Sequence, residues 1–232
     1  MLGALLDLVL PPRCAGCDAA GAVLCPACTA ELRGRPARRT PSPAPAGLPG
    51  CWSAAAYDGV ARRMILSYKE RGRADLAAPL AACLCAVAEA AIGREIGGRA
   101  MEGVALVPVP SARSARRARG HDPIRAMAAL AARRLAQRGL PVAFAPVLAQ
   151  RRRVADQAGL SAARRAANLH GAFGTVGPVP RGVCVLVDDV ITTGATLAEA
   201  ARALAEAGAR APLAVTVAAT RRRKISGDGY PA

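Results

Sequence analysis

The sequence predicts an α/β fold: a mostly parallel sheet with helices on both faces, preceded by a small N-terminal cysteine module. Three observations carry that prediction. Short apolar runs that suit strands alternate with longer Ala- and Leu-rich runs that suit helices from Cys51 onward. The run Val183-Cys184-Val185-Leu186-Val187 is apolar without alternation, as a strand covered on both faces requires. Two C-x-x-C pairs, Cys14 with Cys17 and Cys25 with Cys28, occupy a segment with few other apolar residues.

The chain of 232 residues is long enough for one α/β domain of ordinary size and a small appendage. It is 53% hydrophobic, yet it holds only one Trp, three Tyr and two Phe, so the core must be built from Ala, Val and Leu. No apolar run comes near the roughly 18 residues of a membrane-spanning helix. Residues 1–10 are apolar but short, contain Asp7, lack a basic start and run straight into the cysteines, which is not the pattern of a signal peptide. These readings place the protein in the cytoplasm, with no membrane insertion. The net charge is +16, and Lys69 and Lys224 are the only lysines. That balance favours polyanionic partners, nucleic acid first and anionic lipid second. Arginines spread over solvated helix faces would give the same total, so their arrangement has to decide.

The first module spans residues 1–34. Each C-x-x-C pair presents two thiolates from one tight turn, and two such turns suit the tetrahedral four-sulfur site of structural Zn²⁺ formed by Cys14, Cys17, Cys25 and Cys28. A redox dithiol needs only one such pair and a thioredoxin-like context, which is lacking here. With so little apolar material, the metal supplies folding free energy. Residues 35–50 form a Pro-rich linker. A main domain follows over residues 51–220, and then a basic tail over 221–232.

Within the main domain, residues 51–57 suit a strand, and Asp58 can N-cap a helix with Val60, Met64 and Leu66 on its apolar face. Residues 76–92 suit an apolar helix that tolerates Pro79 only in its first turn. Residues 104–109 suit a buried strand, 123–138 an amphipathic helix closed by Gly139, and 142–147 another strand. The stretch 150–171 is polar, basic and long, with a short helix possible from Ser161, and has the character of a lid. Residues 197–207 suit a helix and 213–219 the last strand. Cys51, Cys83, Cys85 and Cys184 fall in apolar patterns and read as core thiols.

The most informative segment joins strand 183–187 to helix 197–207. Asp188 and Asp189 stand at the strand's carboxyl end, and Thr192, Thr193, Gly194, Ala195 and Thr196 open the helix. Small residues there let backbone N–H groups converge on a phosphate, with the helix dipole adding attraction. The two carboxylates would repel that phosphate, so they face sugar hydroxyls or a hydroxyl-bound metal. A phosphorylated ribose fits both halves. An ordinary strand–turn–helix with a solvated acid pair shares the outline.

This run closely resembles the phosphoribosyl-pyrophosphate (PRPP) signature of type I phosphoribosyltransferases. By that resemblance Asp188 and Asp189 contact the ribose 2- and 3-hydroxyls, and residues 192–196 wrap the 5-phosphate. Taken with the paired cysteines, Tyr57, Tyr68-Lys69, Val107-Pro108-Val109-Pro110, Arg119-Gly120, Gln157, Leu160, Arg164, Asn168 and Gly171-Ala172-Phe173, the whole chain resembles the ComF family of competence-related proteins. That family joins a zinc module to a domain of type I phosphoribosyltransferase type. It departs from the family pattern in two places: a second set of paired cysteines is missing, and His121-Asp122-Pro123 replaces a Phe-Asn-Gln run.

The resemblance implies that Ser111, Ala112 and Arg113 hold the pyrophosphate with Arg119 in support. It also implies that the connection carrying Arg151, Arg152, Arg153, Gln157 and Arg164 closes as a flap that excludes water. Mg²⁺ would bridge ribose hydroxyls and diphosphate. The sequence singles out no catalytic acid or base. Thr192 stands where purine-using relatives often carry an acid, and His121 and His170 are each isolated in basic stretches. The expected function is binding of PRPP or a ribose 5-phosphate compound and of single-stranded DNA during DNA uptake, with a helicase as partner. The alternative is a working phosphoribosyltransferase with an unidentified acceptor.

Overall fold

The computed structural model describes residues 11–97, 103–111, 120–152, 154 and 162–221. Helix α1 (Pro26–Arg33) is followed by strands β1 (Ala37–Arg38) and β2 (Gly50–Ala56) and helices α2 (Gly59–Glu70) and α3 (Ala77–Glu95). Next come β3 (Val104–Pro108), α4 (Pro123–Gln137), β4 (Val142–Phe144), β5 (Leu148–Gln150), α5 (Ala162–Leu169) and β6 (Phe173–Thr175). The chain then forms β7 (Val183–Ile191), α6 (Ala195–Glu206) and β8 (Arg210–Ala219). Six strands make one sheet in the order β1-β2-β8-β7-β3-β4. Only β1 runs antiparallel to its neighbour. The expected α/β architecture, mostly parallel with helices on both faces, is the one found.

Alternation along the central strands divides the core. Leu106, Val185, Val187 and Val215 face a layer containing α2, α3 and α4. Val107, Leu186 and Ala214 face the other layer, formed by α6 and the β5–β6 ribbon. β7 is buried on both sides because it lies in the middle of the sheet, as its unbroken apolar run requires. Cys51, Cys83, Cys85 and Cys184 are all buried.

Several local expectations change. Asp58 occupies the N-cap of α2 but makes no side-chain cap. Its carboxylate is paired with Arg221 at 2.7 Å, and Glu31 Oε1 of α1 accepts from the Val60 N–H at 3.0 Å instead. The strand expected over 142–147 stops at Phe144: the Ala145 N–H still reaches the Leu106 carbonyl at 3.0 Å, but the Val147 N–H turns back to the Ala145 carbonyl at 2.9 Å. Beyond it the chain leaves the sheet, and β5 pairs antiparallel with β6, a strand with no clear pattern in the sequence. Ala74–Glu95, 22 residues, is after all long and apolar enough to cross a membrane, with a mean hydropathy of 1.9 over its best 18-residue stretch. Here it is the core helix, with Leu80, Leu84, Cys85 and Ala88 buried. The Pro-rich stretch is not a free spacer: β1 adds to the sheet edge through Ala37 and Arg38.

The cysteine segment is packed onto the main core. Cys14, Cys28 and Leu32 share one apolar cluster with Trp52 and Val60.

Candidate functional site

β7 extends further than its apolar run, so Asp188 and Asp189 lie within the strand on opposite faces of the sheet. Asp189 points toward α2 and is 5% exposed. Its Oδ2 lies 2.6 Å from the Lys69 ammonium, and its Oδ1 accepts the Val190 N–H at 2.9 Å. Beyond the ion pair, Oδ2 has no hydrogen-bond donor among the described residues. Tyr68, beside Lys69, donates its hydroxyl to the Pro123 carbonyl at 3.2 Å and ties α2 to the start of α4. Asp188 Oδ1 accepts the Asp189 N–H at 2.9 Å. Burial first, and then the neighbouring Asp189 charge, hold the Asp188 carboxyl well above the usual range, with Lys69 opposing. A half-buried carboxyl held like that of Asp188 favours a hydroxyl donor or a cation at its open side.

After Ile191 the chain turns through Thr192 and Thr193 into α6. Gly194 sits at the N-cap with φ 79°, a left-handed conformation suited to glycine. A Cβ on Gly194 would lie 2.9 Å from Leu48 Cδ1 and 3.1 Å from Pro41 Cγ. The Pro-rich stretch therefore lies directly against the loop. Thr192 is exposed, Thr193 Oγ1 accepts weakly from the Ala195 N–H at 3.5 Å, Ala195 is buried and Thr196 half-buried. Gly194→Ala is expected to cost about 1–2 kcal/mol from the left-handed backbone alone. A chemical-unfolding midpoint equal to that of wild type would show that the loop relaxes around the added methyl.

Of the residues expected to hold pyrophosphate or to close over it, Ser111 lies just past the carboxyl end of β3. Its Oγ donates to Asp122 Oδ1 at 3.1 Å, and the same carboxylate oxygen accepts the Arg125 N–H at 3.2 Å. The His121-Asp122-Pro123 departure thus supplies the N-cap and first residue of α4. Ala112, Arg113, Arg119, Arg153 and Gln157 lie outside the described residues. Arg164 is exposed on α5. Arg151 donates to the Thr175 carbonyl at 2.7 Å, and Arg152 to the carbonyls of Asn168 and His170 at 2.7 and 2.6 Å. Both brace the base of the 151–172 connection. Glu199, which no local pattern singles out, accepts the Phe173 N–H at 3.2 Å and joins β6 to α6.

The ligand atoms of Cys14, Cys17, Cys25 and Cys28 all lie within 4.8 Å of one another. The Cys17 and Cys25 sulfurs are 3.7 Å apart. A tetrahedron with Zn–S bonds of about 2.3 Å has edges of about 3.8 Å, so the donor set and its size fit zinc. Gly16 makes the approach possible, since a Cβ there would stand 2.6 Å from Cys28 Sγ. Burial pushes the Cys14 thiol up, but the N–H groups of Cys25, Cys17 and Gly16 outweigh it and bring it down to about 6. Cys28 is raised by burial and by the other three sulfurs. Four crowded thiols of this kind favour a divalent cation among them.

No curated protein matches the chain. Residues 125–228, from the first turn of α4 into the C-terminal tail and a little under half of the sequence, match the phosphoribosyl transferase domain family. The match takes in β7, the acid pair and the Gly194 loop. The protein therefore carries a phosphoribosyl transferase domain on a mostly parallel α/β sheet, with a four-cysteine cluster at its N-terminal side.

Proposed function

We propose that this chain is a ComF-like protein that binds PRPP or a ribose 5-phosphate compound at the carboxyl end of β7. One observation carries the reading: an acid pair in a central strand, Asp189 buried and Asp188 half-buried, leads directly into a left-handed glycine loop at a helix N-terminus. The Ala195, Thr196 and Leu197 amides of the opening turn hold the 5-phosphate, while Asp188 and Asp189 accept from the sugar hydroxyls. Their oxygen donors also fit Mg²⁺ held through those hydroxyls, and the ion's chemistry is to neutralise a departing diphosphate. Zn²⁺ in the four-cysteine cluster is structural, since all four ligands are protein thiols.

The test is calorimetry with ribose 5-phosphate. Asp188→Asn with Asp189→Asn should weaken binding about tenfold or more, the effect of losing charge-assisted hydrogen bonds. Circular dichroism should show the fold retained. Unchanged affinity would remove these residues from the site.

Turnover is the natural extension of the same pocket, as a transfer of the phosphoribosyl group to an acceptor. Incubation with PRPP, Mg²⁺ and a panel of bases and amines should release pyrophosphate, and no release above background counts against it. Single-stranded DNA is a second reading, favoured by the +16 charge and by a cleft of about 680 Å³ beside the cysteines. Arg62, Arg63, Arg71 and Arg73 line that cleft. Binding there should fall steeply with salt, because few aromatics are present for stacking. A role in DNA uptake, a helicase partner and a cytoplasmic location rest on the ComF resemblance and the composition.

A further inference from the structure

A second pocket opens beside the Gly194 loop. It encloses about 420 Å³ and is built from three places in the chain: Arg38 at the end of β1 with Arg39 and Pro41 after it, Thr192 after β7, and Thr220 and Arg221 after β8. The ends of two parallel strands thus meet the Pro-rich stretch, a place where open α/β sheets bind ligands. The volume suits a small molecule. Pro41 and Leu48 pack against Gly194, so one wall of this pocket is continuous with the phosphate loop.

Its chemistry is one-sided. Three guanidinium groups line it, and among the described residues no acidic side chain does. Arg38 reaches out to Glu95 at 3.8 Å and Arg221 to Asp58 at 2.7 Å, and neither acid belongs to the lining. Arg39 is different. Its backbone N–H is fixed on the Cys51 carbonyl at 2.8 Å, while its half-buried side chain keeps a buried Nε without a hydrogen-bond partner among the described residues. A donor in that position lacks only an acceptor, and a planar guanidinium selects a carboxylate or phosphate. Thr220 Oγ1, 3.4 Å from the Thr192 carbonyl, adds a polar floor. Among the described residues no aromatic side chain lines the space, so these offer a nucleobase no stacking surface.

We infer that this pocket, with Arg39 as its anchoring cation, binds a small oxyanion-bearing second ligand next to the phosphoribosyl group. The inference rests on the phosphoribosyl reading for its neighbour, but not for its own chemistry. The Pro-rich stretch thereby acts as one wall of a binding site.

Calorimetry with benzoate and its neutral isostere benzamide tests it on the full chain, alone and saturated with ribose 5-phosphate. Benzoate should bind about tenfold or more tightly than benzamide, and Arg39→Gln should remove that preference, on the scale of one charge-assisted hydrogen bond. Arg39→Lys should retain part of it, and neither variant should change ribose 5-phosphate affinity more than about twofold. Equal binding of the two probes, no benzoate binding, or indifference to Arg39→Gln would each overturn the proposal. So would loss of benzoate binding when PRPP replaces ribose 5-phosphate, since the diphosphate would then own the pocket. If ribose 5-phosphate fails to bind while benzoate binds through Arg39, the pocket stands and the phosphoribosyl reading falls.

Discussion

A Lys69→Met variant is expected to lose about 3 kcal/mol of stability at neutral pH, the scale for stripping one partner from a buried ion pair. The Asp189 side chain is only 7% exposed and that of Lys69 26%, so solvent does little to screen the change. Asp188 stands next to Asp189 and is already held well above the usual carboxyl range, by burial first and then by the Asp189 charge. Without the ammonium, which opposes that rise, Asp188 resists ionisation more strongly. An acid raised in the folded state contributes stability below its unfolded value, near 4, and loses that contribution as pH rises through the folded value. The deficit of Lys69→Met should therefore be largest at neutral pH and shrink toward about pH 4. Chemical unfolding across that range reads it directly. Adding Asp189→Asn should restore most of the loss, because the uncompensated charge is then gone. A single variant as stable as wild type at pH 7 would show that Asp189 does not depend on Lys69.

The second large effect concerns the cysteine cluster. Cys28→Ser, or exhaustive chelation, should remove one bound zinc and lower the melting temperature of the whole protein. Cys28 is 5% exposed and belongs to the same apolar cluster as Leu32, Trp52 and Val60, so disorder there reaches the main core. Losing even about 4 kcal/mol of the metal's binding free energy lowers the midpoint by roughly 10 °C, at about 2–4 °C per kcal/mol for a chain of this size. Trp52 is the only Trp and is 4% exposed, with its indole N–H donating to Glu95 at 3.3 Å. Its emission should shift to the red as the cluster opens. Protein purified without chelator that holds no metal and melts at the wild-type temperature would sink the zinc assignment.

Much of the fold was legible because its signals are local. An unbroken apolar run marked β7 as a two-sided central strand. Pro123 marked the start of α4, and paired C-x-x-C turns marked the sulfur cluster. Other local signals misled. Asp58 has the right chemistry for a cap, but Arg221, far along the chain, competes for its carboxylate, and Glu31 takes the Val60 N–H. The Pro-rich composition of residues 35–50 suggested a spacer, yet Pro41 and Leu48 rest on Gly194 and Arg39 faces a pocket. A proline-rich segment is semi-rigid by itself, and whether it projects or packs depends on the surface next to it.

By itself the sequence determined the alternation of strands and helices, the four sulfur ligands and the acid–glycine run, because each depends on spacing within one or two turns of chain. Only the tertiary structure decided that Lys69 neutralises Asp189, that the cysteine segment shares the main core, and that Arg39 meets Thr192 and Thr220 around one pocket. Those meetings join residues scores of positions apart. Packing of the two helical layers on the sheet selects them, and no local pattern encodes which distant side chain arrives.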